Sequence, residues 1–214
     1  MSQVADFARH KWNCVPGPVK VTEIEGKGRG LVAAKDIKMG EVIFTDKPVI
    51  KVFTKTEEGI NDVTFKEHIE PVLEQLSKVP SEARRQFQEL RVPDGVLGQE
   101  NVFILTYLKF VANCTTSRAM DGSGLYCSIL SLNFALVNHS CMPNVELSAH
   151  EPGDDYKVEL RAIKDISRGE EVTVSYLNDD HISEFGMNRE KRREKLKKTL
   201  FFDCNCSFCS ENPD

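Results

Sequence analysis

The tightest constraint on this chain lies in Cys204-Asn205-Cys206-Ser207-Phe208-Cys209, where three thiols fall within six residues. The chain has seven cysteines, an odd count that fits poorly with a disulfide framework. Residues 1–14 carry Asp6, Arg9, His10 and Lys11 and no apolar run, so no secretory signal and a reducing compartment are expected. Clustered thiols in such a setting point to zinc, whose structural sites take four sulfur or imidazole ligands in a tetrahedron. Cys-x-Cys-x2-Cys supplies three, so a fourth must come from a distance: Cys14, Cys114, Cys127 or Cys141. A stretch as polar as Asn205, Ser207, Ser210 and Glu211 has little other reason to stay folded.

The remaining pattern is mixed. From Val19 to Val52, short β-branched and aliphatic runs are separated by Gly and Pro, as in a β meander. Phe65, Ile69, Val72, Leu73 and Leu76 then recur at helical spacing, with Asp62 as N-cap. Ser81 is placed to cap a second helix through Leu90, and Val102 to Ala112 supports a third. Strand character returns over Val145–Leu147, Lys157–Ala162 and Val172–Tyr176, followed by a basic helix from about Ser183 to Lys198. Alternating βαβ units are absent, which disfavours a doubly wound nucleotide fold.

At 214 residues, the length suits one domain with an appendage on a prior of roughly 150 residues per domain. No apolar run approaches the roughly 20 residues of a membrane span. A net charge of −5 argues against a whole-domain grip on nucleic acid. The exception is the run Arg189, Lys191, Arg192, Arg193, Lys195, Lys197 and Lys198, which reads as a solvated helix face or as a nucleic-acid contact.

Three further segments could carry chemistry. Glu25-Gly26-Lys27-Gly28-Arg29-Gly30 allows close backbone approach to a ligand, but strand rather than helix follows it, so it is either a tight turn or a cradle for a small polar ligand. Leu136-Val137-Asn138-His139-Ser140-Cys141-Met142-Pro143-Asn144 delivers Asn, His and Cys from an apolar run; it is either a satisfied core pair or a site. Gly169-Glu170-Glu171-Val172-Thr173-Val174-Ser175-Tyr176 is a turn into an alternating strand that ends in tyrosine.

In this order and combination, these segments and the terminal cysteines resemble the SET-domain lysine methyltransferases. They look most like the branch that pairs a SET domain with a MYND zinc finger. The resemblance runs from about Val19 to Cys209. It implies an α+β, mainly β fold: a β-clip whose Asn-His segment threads beside the Ser-Tyr segment as a pseudoknot, with a helical insert and a post-SET zinc cluster. The implied organisation is an N-terminal arm (1–18), a SET domain (19–198) with a helical insert at about 60–112, and a cysteine-rich post-SET segment (199–214).

The implied activity is S-adenosylmethionine-dependent methylation of protein lysine side chains, histone or non-histone, in cytoplasm or nucleus. The implied cofactor contacts are Lys27, Gly28 and Arg29 through backbone, His68, Asn113, Asn138, His139, and Phe202 stacked on adenine. Tyr176 is the implied catalytic residue, and Cys141 joins Cys204, Cys206 and Cys209 on zinc. The sequence departs from the branch in lacking MYND cysteines between Val52 and Asp62 and the helical domain that normally follows the last cysteine. Two further positions that carry rings in the family are Thr115 and Leu200 here, which leaves open a SET-fold regulatory or adaptor module that binds without turnover.

Overall fold

The computed structural model describes residues 15–54, 64–92, 101–118, 123–150, 157–177 and 188–211. The N-terminal meander forms β1 (Val19–Ile24), β2 (Gly28–Ala33), β3 (Val42–Asp46) and β4 (Ile50–Thr54). β1 and β2 pair from Val19↔Ala33 to Ile24↔Gly28. The turn between them needs left-handed backbone at Gly26 (φ 71°) and Gly28 (φ 72°), which glycine adopts without steric cost.

Three helices follow: α1 (Thr64–Lys78), α2 (Ser81–Gln88) and α3 (Val102–Asn113). α1 buries Ile69, Val72 and Leu76, as the spacing predicts. Gln75 on its flank binds β4, accepting from Lys51 N–H at 2.8 Å and donating to Lys51 O at 2.9 Å. The expected Asp62 cap lies outside the described residues. Ser81 does not cap α2 but is its first residue; the cap position is Pro80, extended at φ −54°, ψ 151°, and no side-chain hydrogen bond is made there. Proline already fixes the chain entry that a serine cap would otherwise stabilise. α3 has a side-chain cap, with Asn101 Oδ1 accepting from Phe103 N and Ile104 N at 3.0 and 3.2 Å.

The second half holds β5 (Thr115–Arg118), β6 (Tyr126–Leu130), a 3-10 turn (Phe134–Leu136), β7 (Asn138–His139), β8 (Val145–His150), β9 (Lys157–Ala162) and β10 (Glu171–Val174). It closes with α4 (Arg189–Leu200) and α5 (Ser207–Glu211). The first part of the expected basic helix, 183–187, lies outside the described residues. β10 stops at Val174 rather than Tyr176. There Ser175 Oγ donates to Leu177 O at 3.0 Å and accepts from Leu177 N–H at 3.2 Å, which turns the chain.

The strands form three small sheets, ordered β1-β2-β10-β7, β3-β9-β8 and β4-β6-β5. The described residues therefore mix helix and strand, with the strands in small sheets and the helices segregated between them. All named pairings are antiparallel except one: β10 runs parallel to β7, with Thr173 opposite Asn138 and Val174 opposite His139. The expected threading of the Asn-His segment beside the Ser-Tyr segment is this ladder. One core, including Leu31, Ile50, Phe110, Leu130, Leu160 and Ile166, joins the sheets to the helices. A second, smaller cluster is built from Leu177, Leu196, Cys204, Cys206 and Cys209.

Asn144 extends the parallel ladder. Its buried side chain accepts from Thr173 N–H at 2.9 Å and donates to Glu171 O at 2.8 Å, while its own N–H bonds Thr173 O at 3.2 Å. Removing that side chain leaves β10 backbone groups unsatisfied in a buried setting. Asn144→Ala is expected to cost about 1–3 kcal/mol, read as a lower urea midpoint with unchanged slope.

Candidate cofactor face and four-sulfur centre

The sulfur centre is assembled from two directions. β7 ends at His139, and a bend closed by Met142 N–H to Ser140 Oγ at 3.1 Å delivers Cys141. Cys206 O accepts from the N–H groups of Cys209 and Ser210, both at 3.0 Å, which folds the other thiols into the start of α5. Cys141 Sγ lies 3.9 Å from Cys204 Sγ and 3.5 Å from Cys209 Sγ, and Cys141 N–H points at Cys206 Sγ at 3.5 Å. All four sulfurs lie within 4.8 Å of one another. A zinc–sulfur bond of about 2.3 Å gives a tetrahedral edge of about 3.8 Å, so the donor set fits the ion in number, softness and spacing.

The electrostatics agree. Cys141 is pushed far above the usual thiol range, first by its hydrogen bond to Cys204 and then by burial. Cys204 is pulled down to about 3, chiefly by that same hydrogen bond. Four thiols this close cannot all ionise without a cation among them. Arg192, buried on α4, directs its guanidinium to Cys209 Sγ at 3.8 Å and lies 4.7 Å over the Phe208 ring. Of the other fourth-ligand candidates, Cys127 is fully buried and Cys114 packs against the main core, its thiol pushed up to about 12 by burial. Cys14 lies outside the described residues.

His139 links this centre to the second group of residues. Tyr176 N–H donates to His139 Nδ1 at 3.0 Å, so the proton sits on Nε2 and is donated to Cys141 Sγ at 3.2 Å. The imidazole is thereby fully engaged. Its ring lies 5.3 Å from that of Tyr176 and 6.0 Å from that of Phe202, and the latter two meet edge to face at 6.2 Å. Tyr176 Oη donates to Val137 O at 2.7 Å; the residue as a whole is 39% exposed, and desolvation about its hydroxyl pushes the phenol up to about 12.

From Phe202 the contacts close a circuit. Arg91 lies 5.5 Å over the Phe202 ring, and its carbonyl accepts from Asn113 Nδ2 at 2.9 Å. Two residues earlier, Glu89 pairs with Arg29 at 3.4 Å. On the other side Lys27 pairs with Glu171 at 2.6 Å, and Asn138 Nδ2 donates to Glu171 Oε1 at 3.0 Å and Arg29 O at 3.3 Å. Lys27, Arg29, Asn113, Asn138, His139, Tyr176 and Phe202 therefore belong to one connected face. Gly28 sits in the same loop, and a Cβ there would meet nothing within 4 Å. His68 falls on α1, but its side chain lies outside the described residues.

The sequence reading missed Glu89, Arg91 and Glu171. Glu171 lies inside a segment already singled out, and an acid opposite Lys27 was the available signal. Glu89 and Arg91 meet partners 60 and 110 residues away and carried no local signal. Thr115 is exposed at the start of β5, and Leu200 packs against the sulfur cluster. The basic run is partly structural too, since Arg192 faces the sulfurs and Arg193 pairs with Asp203 at 2.6 Å.

The SET domain family profile matches residues 28–177. Mouse (Mus musculus) histone-lysine N-methyltransferase Smyd1 is 34% identical over 127 residues, 53% of this chain and 25% of that protein. Human histone-lysine N-methyltransferase SMYD3 is 36% identical over 96 residues, 45% of this chain and 19% of that protein. Chicken (Gallus gallus) protein-lysine N-trimethyltransferase SMYD5 is 34% identical over 97 residues, 44% of this chain and 21% of that protein. The chain spans a quarter or less of the length of these relatives.

Elemental analysis of the purified protein is expected to find about one zinc per chain, as four-ligand structural sites hold. Cys206→Ser is expected to lower that ratio severalfold and to depress the melting temperature, whereas Cys127→Ser is expected to leave the zinc content unchanged.

Proposed function

The chain belongs to the SET-domain family, and from that premise we propose that it is an S-adenosylmethionine-dependent methyltransferase acting on protein lysine side chains, histone or non-histone, in the nucleus or cytoplasm. The observation that carries this reading is the two-residue parallel ladder, because it gathers Asn138, His139 and Tyr176 beside Phe202 and the glycine turn. The face fits the cofactor by donor set. It offers an aromatic ring at Phe202 for a nucleobase and an unfilled approach at Gly28. Asn138 adds an amide oxygen that accepts no hydrogen bond among the described residues. Zinc on Cys141, Cys204, Cys206 and Cys209 would hold the C-terminal segment against this face.

S-adenosylmethionine supplies a methyl group on a sulfonium, so the chain's own task is positioning. Free lysine has a pKa of about 10.4 and only its neutral amine attacks; an apolar setting lowers that value. Tyr176 is the proposed catalytic residue. A tyrosine phenol, with an ordinary pKa of about 10, is neutral at physiological pH, and donation to Val137 O fixes the hydroxyl, leaving its lone pairs to accept from the substrate amine. Lys27 and Arg29 have their side chains engaged by Glu171 and Glu89, so they serve a ligand through their backbone. Asn113 is held by the carbonyl of Arg91, whose guanidinium lies over the Phe202 ring.

A second reading, a SET-fold module that binds without turnover, is favoured by Thr115 and Leu200, neither of which supplies a ring. Among the described residues no helix is long and apolar enough to cross a membrane.

Incubation with radiolabelled cofactor and candidate substrate proteins tests the proposal. Tyr176→Phe keeps the ring and removes the hydroxyl, and is expected to slow transfer by roughly 10²–10³-fold while calorimetric affinity for S-adenosylhomocysteine stays within about threefold of wild type. Equal labelling by wild type and variant would overturn the role given to Tyr176. Cofactor binding without labelling of any substrate would favour the second reading.

A further inference from the structure

We propose that Glu171 is a positioning residue, fixing the Asn138 side chain so that its amide oxygen is presented to an ammonium group of the bound ligand. The inference rests on the cofactor reading above and deepens it. A carboxamide has two N–H donors on one side and one acceptor on the other. Here the donors of Asn138 are both directed inward, to Glu171 Oε1 at 3.0 Å and Arg29 O at 3.3 Å. The flipped amide would set its oxygen against a carboxylate and a carbonyl, so the two acceptors dictate the orientation. Oδ1 is left with no protein donor among the described residues, and an oxygen so placed selects a cationic or N–H-bearing group.

The carboxylate is itself held at both ends. Its second oxygen accepts Lys27 Nζ at 2.6 Å, with each side chain about one-fifth exposed. Lys27 therefore neutralises Glu171 locally, and the acid does not compete with Asn138 for the ligand's positive charge. Gly30 makes the arrangement sterically possible. A Cβ at that position would lie 2.5 Å from Asn138 Nδ2, 2.6 Å from Ile24 Cγ1 on β1 and 3.4 Å from Glu171 Oε1, and the first two distances are inside any real contact. Lys27 of the turn thus acts on a side chain of β7 through an acid of β10, while Gly30 of β2 leaves room for that side chain, with β2, β10 and β7 in one sheet. The chemistry selected is an α-amino group next to an adenosine, and a ligand lacking that amine forfeits the contact.

The test is calorimetric binding of S-adenosylhomocysteine and of its deaminated analogue, which lacks only the α-amino group. Wild type is expected to prefer the amine-bearing ligand by roughly tenfold or more, the scale of a charge-assisted hydrogen bond. In Glu171→Gln and Glu171→Ala the preference is expected to shrink to within about twofold, through weaker S-adenosylhomocysteine binding with the analogue's affinity unchanged. A cooperative urea transition reports that each variant is folded. A Glu171 variant that keeps the wild-type preference, or weakens both ligands equally, overturns the proposal. Wild type that binds S-adenosylhomocysteine without discrimination overturns this proposal alone; wild type that binds neither ligand overturns the cofactor reading with it.

Discussion

The pairing of Asn138 and His139 with Thr173 and Val174 is the constraint on which the arrangement of this protein depends. Parallel neighbours need a crossover, and here β8 and β9 and their connections lie between the two strands. A ladder of two residues has few backbone hydrogen bonds, each with a net contribution of about 1 kcal/mol. It persists because it is reinforced beyond its ends. Ser140 N–H bonds Val174 O at 3.0 Å, Asn144 clamps Thr173 and Glu171, and Tyr176 N–H reaches His139 Nδ1. β10 is bound on its other side to β2, so one strand carries the glycine turn on one flank and the Asn-His segment on the other.

His139 makes the two halves of the site interdependent. One nitrogen accepts from the residue that presents the phenol, and the other donates to a sulfur of the four-cysteine group. A hydrogen bond to a coordinating thiolate moderates its negative charge. Arg192 acts on the same cluster from α4.

Cys204, Cys206 and Cys209 were legible from the sequence because their spacing is itself the signal: three soft donors within six residues are the pattern of a single zinc site. Their partner was not legible from spacing, since Cys141 stands 63 residues before Cys204; only the resemblance singled it out. Asn144 was quoted within a segment, but its role as a clamp depends on Thr173, 29 residues further on. β5 and β6 were missed because Thr115-Thr116-Ser117-Arg118 is polar and Tyr126-Cys127-Ser128-Ile129-Leu130 does not alternate. The latter is a central strand covered on both faces, and its Ser128 hydroxyl is satisfied by Thr116 at 2.8 Å. Local pattern reports the periodicity of a segment and the donors it offers; it does not report which distant backbone needs them.

The division of the interior into a large hydrocarbon core and a small sulfur-lined one has a consequence for how the molecule can come apart. Leu177 and Leu196 bury too little carbon to offset the entropy of ordering α4, α5 and the link between them, so the proposed zinc would be the chief fastening of that portion. Withdrawal of the ion would release the C-terminal flap, and Phe202 with it, while the three sheets stayed intact. On the proposed zinc reading the face around Phe202 would come apart without the sheets being denatured, and its integrity would track the supply of a trace element rather than the strength of the fold.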